Sequence, residues 1–228
     1  MITAYGGKKR MLPTILPLVA AIPHQISGEP FAGAAAVVFA KPRPAVRNQE
    51  AYRAFLNDDD GRLITVYRGA QHPLRRAALL DRLSWTPARQ AERERAWTVL
   101  DDPASEDQDV AWAVVVVAQQ GCSSRLHHRN GWSTARRGAN TAMEWDRYVA
   151  GLESVTERLR GVAIRQEDAH AGIRRWDSPA PLGYRDPPSV GAAQRYRSRN
   201  GWVRQHTIPC YNALERSMGF SHVKEGLC

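Results

Sequence analysis

The side chains best suited to chemistry in this sequence are carboxylates standing at the ends of apolar runs. The first lies in Glu29-Pro30-Phe31-Ala32-Gly33-Ala34-Ala35, where a strand-like segment passes through small residues towards a helix. A glycine there lets main chain approach a ligand, and a helix start offers free N–H groups; small residues serve equally for close helix–sheet packing. The second is Asn57-Asp58-Asp59-Asp60, about 25 residues beyond Gly33. In doubly wound sheets a carboxylate at this place accepts hydrogen bonds from ribose hydroxyls, but aspartate is also a preferred helix N-cap. Spacing leaves both roles open for these acids. The third is Asp186-Pro187-Pro188-Ser189. Two prolines hold the backbone extended and leave the Asp186 carboxylate and adjacent carbonyls as immobile acceptors, a geometry suited to an exocyclic amine. A strand simply ended by proline is the plain alternative.

Four segments read as the buried parallel strands that must position these groups: His24 to Phe31, Tyr52 to Asn57, Val162 to Glu167 and Leu182 to Asp186. Open α/β sheets place ligands at the carboxyl ends of such strands. About a hundred residues with helical periodicity separate the second from the third. Among them, Ala91 to Leu100 and Val110 to Ala118 are compact apolar faces. Trp145, Tyr148, Val149, Leu152, Val155 and Leu159 recur at three- and four-residue steps, one stripe of an amphipathic helix. The expected architecture is an α/β sheet domain over residues 1–60 and 149–190, interrupted by a helical insertion over 61–148. A basic tail follows over 191–228.

The chain has 228 residues, 32 lysines and arginines against 23 acids, and a formal charge of +9. Only Lys8, Lys9, Lys41 and Lys224 are lysines. Arginine suits bidentate phosphate contacts, so nucleic acid is the first partner to consider; an arginine-rich composition also follows from a GC-rich genome. Cys122, Cys210 and Cys228 are odd in number and widely spaced, with no C-x-x-C pair. That excludes a disulfide framework and a zinc pattern, and a reducing cytoplasm is the expected compartment. Pro13, Pro17 and Pro23 interrupt the apolar run after Lys8-Lys9-Arg10, which argues against a signal peptide, and no run approaches a membrane span. From Gly121 to Met143, Arg125, Arg129, Arg136 and Arg137 occur without a single acid, among three glycines. Such a segment is either a solvated loop or a phosphate- and base-contacting one. His127-His128 has no acid or cysteine at ligand spacing, so no metal is expected.

Taken in order, these elements resemble the Dam-type DNA N6-adenine methyltransferases. Tyr5-Gly6-Gly7-Lys8 is similar to the family's opening element, Glu29-Pro30-Phe31-Ala32-Gly33 to its E-P-F-x-G, and Asn57-Asp58 to its N-D pair. Asp168 matches the acid after its third strand, and Asp186-Pro187-Pro188 the start of its D-P-P-Y. The resemblance implies a Rossmann-like, S-adenosyl-L-methionine-dependent methyltransferase sheet, with the helical insertion as target-recognition domain. It implies adenine in double-stranded DNA as acceptor, and a monomer. On this basis Lys8 and the turn of Phe31, Ala32 and Gly33 contact the methionine part of the donor, Tyr5 belongs to the donor site, Asp58 holds the ribose and Asp168 the donor's adenine amino group. Asp186 and Pro187, with Pro188 and Ser189, form the catalytic element. Fixed acceptors on the target amine favour its pyramidal, nucleophilic form, and the methyl group then passes by direct displacement. Extruding the base costs about a few kcal/mol, which contacts from Arg125, Arg129, Arg136 and Arg137 are expected to offset.

Two departures stand out. Ser189 replaces the tyrosine that stacks on the extruded base, an interaction worth about 1–3 kcal/mol; Tyr184 and Tyr196 are the nearby aromatics that could replace it. The 39 residues after Ser189 are arginine-rich, with Trp202-Val203 and Ile208 to Leu214 as their only apolar runs. The sheet is therefore expected to be incomplete at its C-terminal side, and activity to be weak or absent. The alternatives to an active enzyme are a DNA-binding remnant and a methyltransferase acting on RNA.

Overall fold

The computed structural model describes residues 8–22, 24–42, 52–120, 132, 141–176, 181–184, 197–198 and 201–202. A 3-10 turn, Lys8–Met11, leads into α1 (Leu12–Ala21), β1 (Ile26–Glu29), α2 (Ala36–Ala40) and β2 (Arg53–Asn57). The helices α3 (Gly61–Gln71), α4 (Pro73–Ser84), α5 (Gln90–Asp101), α6 (Asp107–Gln119) and α7 (Thr141–Glu157) come next. Then follow β3 (Val162–Arg165), α8 (Ala169–Arg175) and β4 (Pro181–Gly183). Each of the four expected strands has its counterpart, shortened or shifted by a few residues. Arg185 and Asp186 lie outside the described residues. In the tail, β5 (Arg197–Ser198) and β6 (Gly201–Trp202) form a separate antiparallel pair.

The chain is an α/β protein whose main sheet is parallel throughout, in the order β3-β2-β1-β4. The path steps from β1 through β2 to β3, then returns to the other side of β1 for β4. At such a reversal the two outgoing connections diverge and leave a crevice outside the carboxyl ends of the strands. β1 and β2 approach closely at Gly28, which is paired with Phe55. A Cβ on residue 28 would stand 2.2 Å from the Phe55 ring, which is stacked at 4.8 Å on Trp176. Glycine is required there by space, not by backbone conformation.

The helical stretch is built around α6. Val110 through Ala118 are nine consecutive buried residues, so this helix is apolar on every face and is enclosed by α3, α4 and α5. Four successive valines, Val114–Val117, have strand propensity on their own; burial among helices overrides it. Asp107 and Asp109 in the first turn suit the positive end of the helix. The stripe expected on α7 packs inward, with Trp145, Leu152 and, just past the helix, Leu159 buried. One hydrophobic cluster runs from Leu56 and Val162 of the sheet through Ile64 and Tyr67 of α3 to α6 and α7. The expected boundary at residue 148 falls within α7.

At the N-terminal side, Pro13 occupies the first turn of α1, and the helix continues through Pro17. Ile15 and Val19 pack on Val37 of α2, with Tyr184 beside them. Among the described residues no helix is long and apolar enough to cross a membrane.

Candidate functional site at the carboxyl edge of the sheet

The turn after β1 is held from three directions. Gly33 and Ala35 both adopt left-handed backbone, with φ of 46° and 50°, which folds the turn tightly before α2. The Gly33 N–H donates to Asp58 Oδ2 at 2.7 Å, and the Tyr67 hydroxyl of α3 donates to the Gly33 carbonyl. The Ala32 N–H donates to the Asn57 carbonyl at 2.8 Å. Two of the motifs singled out in the sequence, separated by 25 positions, therefore meet at adjacent strand ends.

Asn57 ties three strand ends together. Its buried side-chain amide donates to the Pro30 and Glu167 carbonyls, each at 3.0 Å, and its Oδ1 accepts from the Glu167 N–H at 3.0 Å. The carboxyl ends of β1, β2 and β3 are thereby held level. Glu29, almost fully buried, accepts from the Val38 N–H at 2.7 Å and so anchors α2 to the end of β1.

The three successive aspartates have separate roles. Asp58 points into the turn, where its second oxygen accepts from the Asp60 N–H at 2.9 Å. Burial, opposed by those two backbone hydrogen bonds, pushes its carboxyl up to about 6. Asp59 is exposed. Asp60 caps α3 by accepting from the Arg62 N–H at 3.0 Å and receives the Arg62 guanidinium bidentately. The two roles left open by the sequence are thus divided between different residues. Tyr67 has its hydroxyl pKa raised by burial and by the Asp58 and Glu29 carboxylates, which keeps it a donor to Gly33.

Asp168 stands past the end of β3 and caps α8, its Oδ1 accepting from the His170 and Ala171 N–H groups at 3.0 and 3.1 Å. Ala32 is buried, whereas Phe31 and Gly33 are partly exposed. Lys8 lies in the 3-10 turn that packs beside α2. Tyr184 donates its N–H to the Gly28 carbonyl at 2.9 Å, and its ring joins the α1–α2 cluster. It stands two positions before Asp186, at the same carboxyl edge as Gly33. Tyr5, Arg125, Arg129, Arg136, Arg137, Asp186, Pro187, Pro188, Ser189 and Tyr196 lie outside the described residues.

Tyr67 and the bridging amide of Asn57 were not singled out from the sequence for these roles. Tyr67 sits on the apolar face of α3 with Leu63, Ile64 and Ala70, so its pattern signals packing alone. It also separates the turn from an apolar cavity of about 30 Å³ among α3, α4, α6 and α7. That cavity is water-sized and lies inside the helical core, so it is not a nucleotide site.

Compared with known protein families and with curated proteins, the sequence matches none.

Proposed function

We propose that this chain is an S-adenosyl-L-methionine-dependent DNA methyltransferase acting on the N6 amine of adenine. The observation that carries the reading is the 2.7 Å contact between Gly33 N–H and Asp58, beside the strand-order reversal between β1 and β4. A glycine turn and a carboxylate at neighbouring strand ends form the pairing that a nucleoside-containing ligand needs, and the chain carries Asp186-Pro187-Pro188 just beyond β4. In this reading Asp58 accepts from the donor's ribose. The Phe31–Gly33 turn and Lys8 hold the methionine part, Tyr5 belongs to the same donor site, and Asp168 meets the donor's adenine. Asp186 and the Pro187 carbonyl accept the hydrogens of the target amine, whose lone pair attacks the methyl carbon; S-adenosylhomocysteine leaves and the amine gives up one proton. Pro188 keeps this element extended, and Ser189 follows it. Arg125, Arg129, Arg136 and Arg137 contact the DNA. The chain works as a cytoplasmic monomer without metal.

Calorimetry with S-adenosylmethionine and transfer of a labelled methyl group to unmethylated DNA test this directly. Donor binding with turnover, however slow, that Asp186→Ala abolishes is the expected result; absence of donor binding sinks the reading. Ser189 in place of the family's tyrosine favours a second outcome, donor and DNA binding with little turnover, as in an impaired remnant. Competition between DNA and RNA in the same assay distinguishes an RNA-directed enzyme.

A further inference from the structure

Tyr67 belongs to two environments at once. Its ring is part of the helical core: it lies on the apolar face of α3, with its centroid 6.1 Å from that of Phe39 in α2, and lines the small cavity among α3, α4, α6 and α7. Its hydroxyl reaches out of that core and donates to the Gly33 carbonyl. The N–H of the same glycine donates to Asp58 Oδ2 at 2.7 Å. Gly33 is therefore gripped at both of its main-chain polar groups, by residues 25 and 34 positions further along the chain.

The second grip matters because the turn does not hold itself. Glycine at φ 46° takes other backbone conformations with little penalty, and Ala35 at φ 50° occupies a region that is costly for a residue with a Cβ. In a trans peptide the carbonyl and the following N–H point in opposite directions. The Tyr67 hydroxyl therefore sets the plane of the Gly33–Ala34 peptide, with the carbonyl towards α3 and the Ala34 N–H away from it. Asp58 holds only the preceding N–H, so without the hydroxyl the carbonyl loses its donor and the glycine lets that peptide rotate. Tyr148 lines the same cavity, but its buried hydroxyl has no hydrogen-bond partner among the described residues.

We propose that Tyr67 is a positioning residue for the methyl donor, acting through Gly33 to orient the turn that meets the methionine part of S-adenosylmethionine; this rests on the methyltransferase reading above. Calorimetry on the full chain compares S-adenosylmethionine with 5′-methylthioadenosine, which keeps the nucleoside and lacks the amino-acid portion. Tyr67→Phe keeps the ring and should weaken S-adenosylmethionine about tenfold while leaving methylthioadenosine nearly unchanged. In labelled methyl transfer it raises the donor KM with kcat nearly kept. Tyr148→Phe removes a hydroxyl from the same cavity and should leave the affinity for both ligands as it was. If the wild-type chain binds S-adenosylmethionine and Tyr67→Phe binds it equally well, this inference fails and the functional reading stands. A loss shared by both ligands, a matching loss in Tyr148→Phe, or disappearance of the cooperative urea transition in Tyr67→Phe assigns the hydroxyl to general packing and overturns the positioning role. If the wild-type chain binds no S-adenosylmethionine, both fall together.

Discussion

Asp58 concentrates the chemistry at the scale of single residues. Its folded-state value of about 6 lies above its ordinary 3.8, because burial disfavours the charged form more than two backbone N–H groups favour it. The folded state thus holds the proton more tightly than the unfolded state. Asp58's contribution is most favourable below about pH 4 and is lost as pH rises to about 6, by roughly 3 kcal/mol at 1.36 kcal/mol per unit. Denaturation midpoints between pH 4 and 7 for wild type and Asp58→Asn are expected to diverge over that window and run parallel above it. Parallel curves throughout place the carboxyl at an ordinary value. Above pH 6 the carboxylate is ionised, and on the proposed reading it accepts from the donor's ribose; affinity for S-adenosylmethionine should then fall at least tenfold in Asp58→Ala at pH 7.5, measured calorimetrically. Asp60→Ala, which removes a cap, instead lowers stability by about 0.5–2 kcal/mol in a urea titration.

Close fits between elements set the next scale. Gly28→Ala drives a methyl group into the buried Phe55 ring, which is already stacked on Trp176. A loss of about 1–3 kcal/mol or more is expected from urea unfolding. Gly61→Ala meets only the flexible end of Gln166 and is expected to leave stability nearly unchanged, which separates crowding from the general effect of replacing glycine. Thr86→Val keeps the shape of the α4–α5 loop and removes the acceptor of the buried Trp112 Nε1–H. It should cost about 1–3 kcal/mol by the same measurement; a neutral result means that the indole finds another acceptor.

For the whole molecule, net charge is a poor guide to where a polyanion binds, because many cations serve the fold. Lys41 is buried, donating to the Tyr52 hydroxyl at 2.7 Å and to His24 Nε2. Arg158 reaches the Val38 carbonyl at 3.1 Å, and Arg62, Arg76 and Arg175 meet Asp60, Glu157 and Glu167. Salt dependence measures what is left: a duplex-binding slope of about −0.9 for each phosphate neutralised. On the DNA-directed reading proposed above, Arg136→Ala should reduce that slope by about one, and an unchanged slope removes this arginine from the proposed interface.

Periodicity and strand-end chemistry made the four strands, the α7 stripe and the buried faces of α5 and α6 legible in the sequence, because alternation and helical spacing are local properties of the chain. The meeting of Gly33 with Asp58 was implied only by motif order. Its geometry depends on parallel pairing of β1 with β2, which local spacing does not encode. Tertiary structure alone decided which aspartate caps α3 and which enters the turn, that Tyr67 closes the turn from α3, and that Asn57 levels three strand ends. It also decided that Trp85 stands exposed while Trp112 and Trp145 turn inward to hold Thr86. These choices depend on which buried donors and acceptors find one another across distant segments, and on the penalty for any left unpaired. No pattern of residue types along the chain carries that information.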